Sequence, residues 1–161
     1  MRAAILTVST SKAHGEGEDA SGARLAEFVG ELGLEIVARE VVPDERGTIE
    51  ARLLHFCDEL EVELVLTSGG TGMTLDDVTP EATRAVLDRE APGIAEAMGA
   101  ASCPHTAHWM LSRGVAGTRG KTLIVNFPGS PGSIGQCGEA IAPSLPHALA
   151  LLAGQRPSHG S

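Results

Sequence analysis

The spacing of apolar residues changes period repeatedly along this chain. Residues 3–8, AAILTV, form a run of strand length, and a polar Ser/Thr stretch follows at once. From Ser21 or Gly22 the spacing turns helical: Leu25, Phe28, Val29 and Leu32 recur at i, i+3, i+4 and i+7, and Gly33 is placed to cap the helix. Leu34, Ile36, Val37, Val41 and Val42 supply a second strand that ends at Pro43. A helix is predicted over residues 48–60, with Ile49, Leu53, Phe56, Cys57 and Leu60 on one face. Val62, Leu64, Val65 and Leu66 then make a short β-branched-rich run that suits a buried parallel strand. Helices over residues 80–89 and 93–101, an ambiguous segment at 105–113, a strand at 122–127 and a long helix over 134–152 complete the pattern. Strand and helix alternate almost throughout, which predicts right-handed βαβ units. The expected fold class is α/β, a three-layer sandwich with a mostly parallel central sheet covered by helices on both faces.

Composition narrows what such a fold could bind. With 161 residues, of which 42% are hydrophobic, the expectation is one compact domain over residues 1–161. A net charge of -9 and an aromatic content of 2% argue against nucleic acid, which is bound by basic grooves and stacking rings. Any phosphate must therefore be held locally. Cys57, Cys103 and Cys137 are odd in number and form no CxxC pair, so neither a disulfide framework nor a zinc knuckle is indicated, and a reducing cytoplasm fits best. The N-terminal apolar stretch is too short for a signal peptide, and nothing reaches the roughly 20 apolar residues of a membrane-spanning helix.

The densest candidate chemistry is TSGGTGMTLDDVTP, residues 67–80, at the carboxyl end of the third predicted strand, where ligands bind in open α/β sheets. Gly69, Gly70 and Gly72 allow positive φ, so that successive N–H groups can converge on an anion, and Thr71 adds a hydroxyl. Thr79 is a good N-cap and Pro80 suits the first helical position. Asp76 and Asp77 follow closely enough for a carboxylate to hold a magnesium ion bridging phosphates; an Asx-turn is the commoner role for a lone aspartate before a helix, but the adjoining glycine loop reverses those odds for Asp77. Asp44, in VVPDERG, should lie on the same carboxyl edge, but this sequence is also that of an ordinary turn. NFPGSPGS, residues 126–133, repeats the strand, glycine, helix order and could add a second anion contact or simply turn the chain. Ser112 and Arg113 could clamp a phosphate or stack on a planar ring, while a solvated arginine is the more frequent outcome. GKT at residues 120–122 is not a P-loop, since a strand follows it. His105 and His108 lack a third metal ligand, and Trp109 and Met110 beside them indicate packing.

Taken together, DASG at residues 19–22, PDE at 43–45, TSGGTG with DDVTPEAT, DREAPG, LSRGVAG and IVNFPGSPGS resemble the MogA/MoaB molybdopterin-binding proteins of molybdenum cofactor synthesis over nearly the whole chain. The resemblance implies a Rossmann-like molybdopterin-binding fold and adenylyl transfer from magnesium ATP to the phosphate of molybdopterin. It also implies a homotrimer or a hexamer, and a possible hand-over of product to a molybdenum insertase. Carried over by motif, Asp44 and Asp77 are the catalytic carboxylates, with Asp77 as the metal ligand. Ser68, Gly69, Gly70, Thr71 and Gly72, with Pro128, Gly129 and Ser130, are the nucleotide-binding residues, and Ser112 and Arg113 face the pterin. Many members carry a basic residue where Gly99 and Gly132 stand here. Two rival readings are a non-catalytic pterin-binding or assembly protein of the same fold, and a nucleotide-processing hydrolase.

Overall fold

The structure, a computed structural model, describes residues 1–156; residues 157–161 of the expected domain lie outside it. Among the described residues, strands β1 (Arg2–Val8), β2 (Glu35–Val42), β3 (Leu64–Ser68), β4 (Arg89–Glu90), β5 (Ala116–Arg119) and β6 (Thr122–Phe127) form one sheet in the order β2-β1-β3-β6-β5-β4. The first four in that order are parallel, and β5 runs antiparallel to both β6 and β4. The chain leaves β1 for β2 on one side and returns to β3 on the other. The topological switch therefore lies between β1 and β3, and a ligand crevice is expected at their carboxyl ends.

Helices α1 (Thr10–Ala13), α2 (Ala20–Glu31), α3 (Arg46–Leu54), α4 (Thr79–Val86), α5 (Pro92–Ser102), α6 (Pro131–Ile141) and α7 (Leu145–Leu152) cover both faces. On one face Leu25 and Phe28 of α2 and Ile134 of α6 pack with Ile5, Leu66 and Phe127 of the sheet. Phe28 and Phe127 meet with ring centroids 5.9 Å apart at 57°, a tilted pair worth something beyond its buried area. On the other face Ile49 and Leu53 of α3 and Ala82 of α4 pack with Leu6, Val65 and Ile124. The α/β class, the mostly parallel sheet and its two helical layers are as the alternation predicts.

The differences from the sequence reading have local causes. The helix expected over residues 134–152 is two helices, because Pro143 has no N–H to continue the ladder and Pro146 sits in the first turn of α7. The helix expected to run to residue 89 stops at Val86: Leu87 turns extended and Asp88 N–H donates to Thr118 O at 2.8 Å, so the next residues pair with β5 as β4. The helix expected over residues 48–60 begins at Arg46 and widens into a π-turn at His55–Glu59, which leaves Phe56 and Cys57 both buried. Burial pushes the Cys57 thiol up to about 11, and all three cysteines are free. Strands β4 and β5 escape the periodicity because they are short and owe their form to long-range pairing. No helix of the described residues is long and apolar enough to cross a membrane.

Replacing Phe127 with alanine should lower stability by about 3–5 kcal/mol, through lost burial and a residual cavity. Urea denaturation checks this, with the midpoint falling and the slope unchanged.

Candidate functional site

Gly69 leaves β3 at φ 88 and Gly70 follows at φ 66, both in the left-handed region. A Cβ on Gly69 would collide with the carbonyl oxygen of Val8, so the backbone of this loop rests directly on the end of β1. Thr79 then ties the loop back to α4: its N–H donates to Gly70 O at 3.1 Å and its hydroxyl to Gly69 O at 3.0 Å. The hydroxyl expected to cap α4 thus serves the loop instead, and no side chain caps that helix. Among the described residues the N–H groups of Gly70, Thr71 and Gly72 carry no backbone hydrogen bond, which leaves them available as a nest for an anion.

The second glycine loop meets the first. A Cβ on Gly129 would lie 3.5 Å from Gly69 Cα, and Gly69 N–H donates to Phe127 O at 3.3 Å. At the end of this loop Ser130 caps α6, accepting from Ser133 N–H at 3.2 Å.

Asp44 and Asp77 approach the glycine loop from different elements. Asp44 Oδ2 accepts from both the N–H and the hydroxyl of Thr10, at 3.0 and 2.9 Å, while a Cβ on Gly70 would lie 3.2 Å from Asp44 Oδ1. Asp77 Oδ2 accepts from the N–H and hydroxyl of Thr74 at 3.0 and 2.8 Å, three residues back along the chain and not ahead at the entry to α4 as an Asx-turn there would require, and lies 2.8 Å from where a Gly72 Cβ would be. The remaining oxygen of each carboxylate carries no hydrogen bond among the described residues. Asp76 is exposed and takes no part. Asp44 thus brings an unbonded oxygen to Gly70, whereas the Asp77 oxygen nearest Gly72 is the one held by Thr74; together the two carboxylates are a donor set of the hard-oxygen kind that magnesium takes when phosphates and water complete its shell. No group of three or more His, Cys, Asp or Glu among the described residues could hold a metal unaided.

The remaining predicted residues fall on either side of this loop. Ser68 is fully buried and its hydroxyl donates to Ser21 Oγ at 3.1 Å, away from the glycines. The Arg113 guanidinium faces the glycine loop: Nε donates to Gly72 O at 2.8 Å, Nη2 to Asp77 O at 2.7 Å, and Nη1 pairs with Glu81. Ser112 lies between two cavities. One, of about 360 Å³, is lined by Gly69 to Gly72, Asp77 and Gly129; the other, of about 530 Å³, by Trp109, Met98, Gly99, Glu96 and Cys137. His108 and Ser112 border both. The larger cavity takes Asn126, Pro128 and Ser133 from the second loop but nothing from the first, whose glycines line the smaller one together with Gly129. At Gly99, where the resemblance leads one to expect a basic side chain, the Trp109 ring occupies the space, 3.4 Å from an added Cβ.

Residues 4–147 match the family described as the probable molybdopterin-binding domain. The chain belongs to this family. It is 41% identical over 93% of its length to the molybdopterin adenylyltransferase of Helicobacter pylori strain J99, covering 86% of that protein. Among solved structures it resembles the molybdopterin biosynthesis enzyme MoaB of Thermus thermophilus with a TM-score of 0.90 and 46% identity, over 96% of this chain and 97% of that one. The molybdopterin biosynthesis Mog protein of Mycobacterium ulcerans aligns with a TM-score of 0.88 and 40% identity, over 95% and 97% of the two chains.

Sequence reasoning missed Thr10, Thr74 and Glu81, which hold the residues it did find. The Ser/Thr run after β1 and the acid in TPEAT were the available signals. Asn126 was read only as the end of a strand and the start of a loop. It is buried, and its amide donates to Thr67 and Thr83 hydroxyls at 3.0 Å each while accepting from Val115 N–H at 3.1 Å, so it braces β6 against β3 and α4 beneath the site.

The hydrogen bond from Arg113 holds the Glu81 carboxyl below its usual range. A depressed folded-state pKa contributes stability above the unfolded value and loses it as pH falls through the folded one. The stability difference between the native protein and Glu81→Gln should therefore be full at neutral pH, begin to shrink near a pH of about 4, where an unperturbed glutamate protonates, and be lost only below the lowered folded-state value. Urea midpoints measured across pH check this.

Proposed function

We propose that the protein transfers the adenylyl group of magnesium ATP to the terminal phosphate of molybdopterin, giving adenylylated molybdopterin and pyrophosphate. One observation carries the reading: the phosphate-sized nest of the two glycine loops opens beside a larger ring-sized cavity, with Ser112 and His108 bordering both. The name of the Helicobacter pylori relatives supports it.

An oxygen of the molybdopterin phosphate attacks the α-phosphorus of ATP, and the bond from that phosphorus to the bridging oxygen breaks to release pyrophosphate. The attacking phosphomonoester has its second pKa near 6, so it is largely ionised at neutral pH and needs no general base. The work of the chain is positioning and electrostatic stabilisation. Gly70, Thr71 and Gly72 offer N–H donors to the nucleotide phosphates, and Pro128, Gly129 and Ser130 close the pocket from the second loop. Ser68 supports the loop from within the sheet. Asp44 and Asp77 would hold magnesium, which when bound neutralises phosphate charge. Thr10 and Thr74 fix those carboxylates through one oxygen each, leaving the other without a hydrogen bond. Ser112 is assigned to the pterin side, and Arg113 beside it to the loop. A homotrimeric or hexameric assembly, a cytoplasmic setting and hand-over to a molybdenum insertase belong to the same reading, by resemblance.

Incubation of the purified protein with molybdopterin and magnesium ATP should yield adenylylated molybdopterin and pyrophosphate, detected by chromatography. Bound pterin without product would exclude the transferase. Asp77→Asn should lower turnover by about a hundredfold or more, the scale of losing one stabilising group from a preorganised site. Pterin affinity should stay largely intact, and turnover surviving at saturating magnesium would remove Asp77 from the role given to it.

A further inference from the structure

Arg113 and Glu81 lie in distant parts of the chain, yet they span the glycine loop at every point where it could open. Arg113 N–H donates to Thr71 O at 2.8 Å, so the backbone of the LSR segment pairs with the loop. The guanidinium then reaches the carbonyls of Gly72 and Asp77, the two ends of the lobe that carries Thr74 and the Asp77 carboxylate. Its remaining bonded nitrogen takes Glu81 in the first turn of α4, the helix that Thr79 also ties to the loop. A planar fork with fixed donor directions sets the separation of its acceptors in a way a lysine cannot. Glu81 in turn compensates the Arg113 charge, and its other oxygen, Oε2, is buried without a partner, so the carboxylate is committed to the guanidinium.

We infer that Glu81 and Arg113 are positioning residues that act as one unit, fixing the 72–77 lobe so that the loop N–H groups and the Asp77 carboxylate are preset for the nucleotide. Arg113 works through carbonyl oxygens of the loop. Its cation is spent on Glu81, so it holds the shape of the nucleotide site and adds little positive charge to it. The inference rests on the adenylyl-transfer reading above, since it takes the glycine loop as the nucleotide site.

The test uses the full chain with magnesium ADP as the probe in calorimetry, and molybdopterin read through the fluorescence of Trp109, the single tryptophan. Glu81→Gln and Arg113→Lys should each weaken magnesium ADP binding about tenfold, the worth of one charge-assisted hydrogen bond. The double variant should be no worse than either single one, because residues acting as a unit are not additive. Molybdopterin affinity should change by less than about twofold, a split that general loosening of the fold would not produce. Amide hydrogen exchange should speed up in Glu81→Gln at Thr74, Asp77 and Thr79, whose N–H groups are bonded in and beside the lobe, and stay unchanged in the sheet; this reading stands alone if Arg113→Lys does not fold. Unchanged nucleotide affinity and unchanged loop protection with a lowered melting temperature would make the pair merely structural and overturn the inference, as would additive losses. Failure of the unaltered protein to bind magnesium ADP would instead refute the nucleotide reading itself.

Discussion

The contact on which this molecule turns is backbone against backbone. Gly69 lies so close to the carbonyl of Val8 that no side chain fits between them, and Gly129 seats against Gly69 from the other side. β3 lies between β1 and β6, so the first loop is wedged at the switch point of the sheet with a left-handed turn forced on its first two residues. That turn sends the following N–H groups outward. A larger residue at Gly69 would lift the loop off β1, and Asp44, Asp77 and the second glycine loop would then face a displaced partner.

A chain of net charge -9 that binds anions has an electrostatic problem to solve locally. The solution here uses little free positive charge. Loop N–H groups supply partial charge at fixed positions, and the guanidinium in contact with the loop is neutralised by Glu81. Asp44 and Asp77 beside the nest add negative charge, which would oppose a bare phosphate and is the reason the proposed reaction includes magnesium. Threonines hold both acids by a single oxygen, which keeps each carboxylate oriented without exhausting its acceptor capacity.

The ring-sized cavity owes one wall to a glycine. The absence of a side chain at Gly99 lets Trp109 lie against α5, which puts an aromatic ring in that wall. Gly132, the other position singled out in the sequence, has open space around it, and nothing in the structure explains its identity. Flat heterocycles suit such a wall, because stacking on an indole depends on area more than on charge.

The sequence by itself determined the alternation of strand and helix, the α/β class and the glycine loops, because each rests on local spacing or on residues whose backbone freedom is intrinsic. It also left Asp77 open between a turn residue and a ligand; the carboxylate ties back to Thr74 through one oxygen, and its other oxygen carries no hydrogen bond. Tertiary structure alone decided the rest. β4 and β5 exist through pairing partners far along the chain, and the separation of α6 from α7 follows a proline that apolar periodicity passes over. Whether Arg113 points at a substrate or at its own chain depends on carbonyls some 40 residues away. No local pattern encodes where those carbonyls end up, since that is fixed by how α4 and β3 pack together.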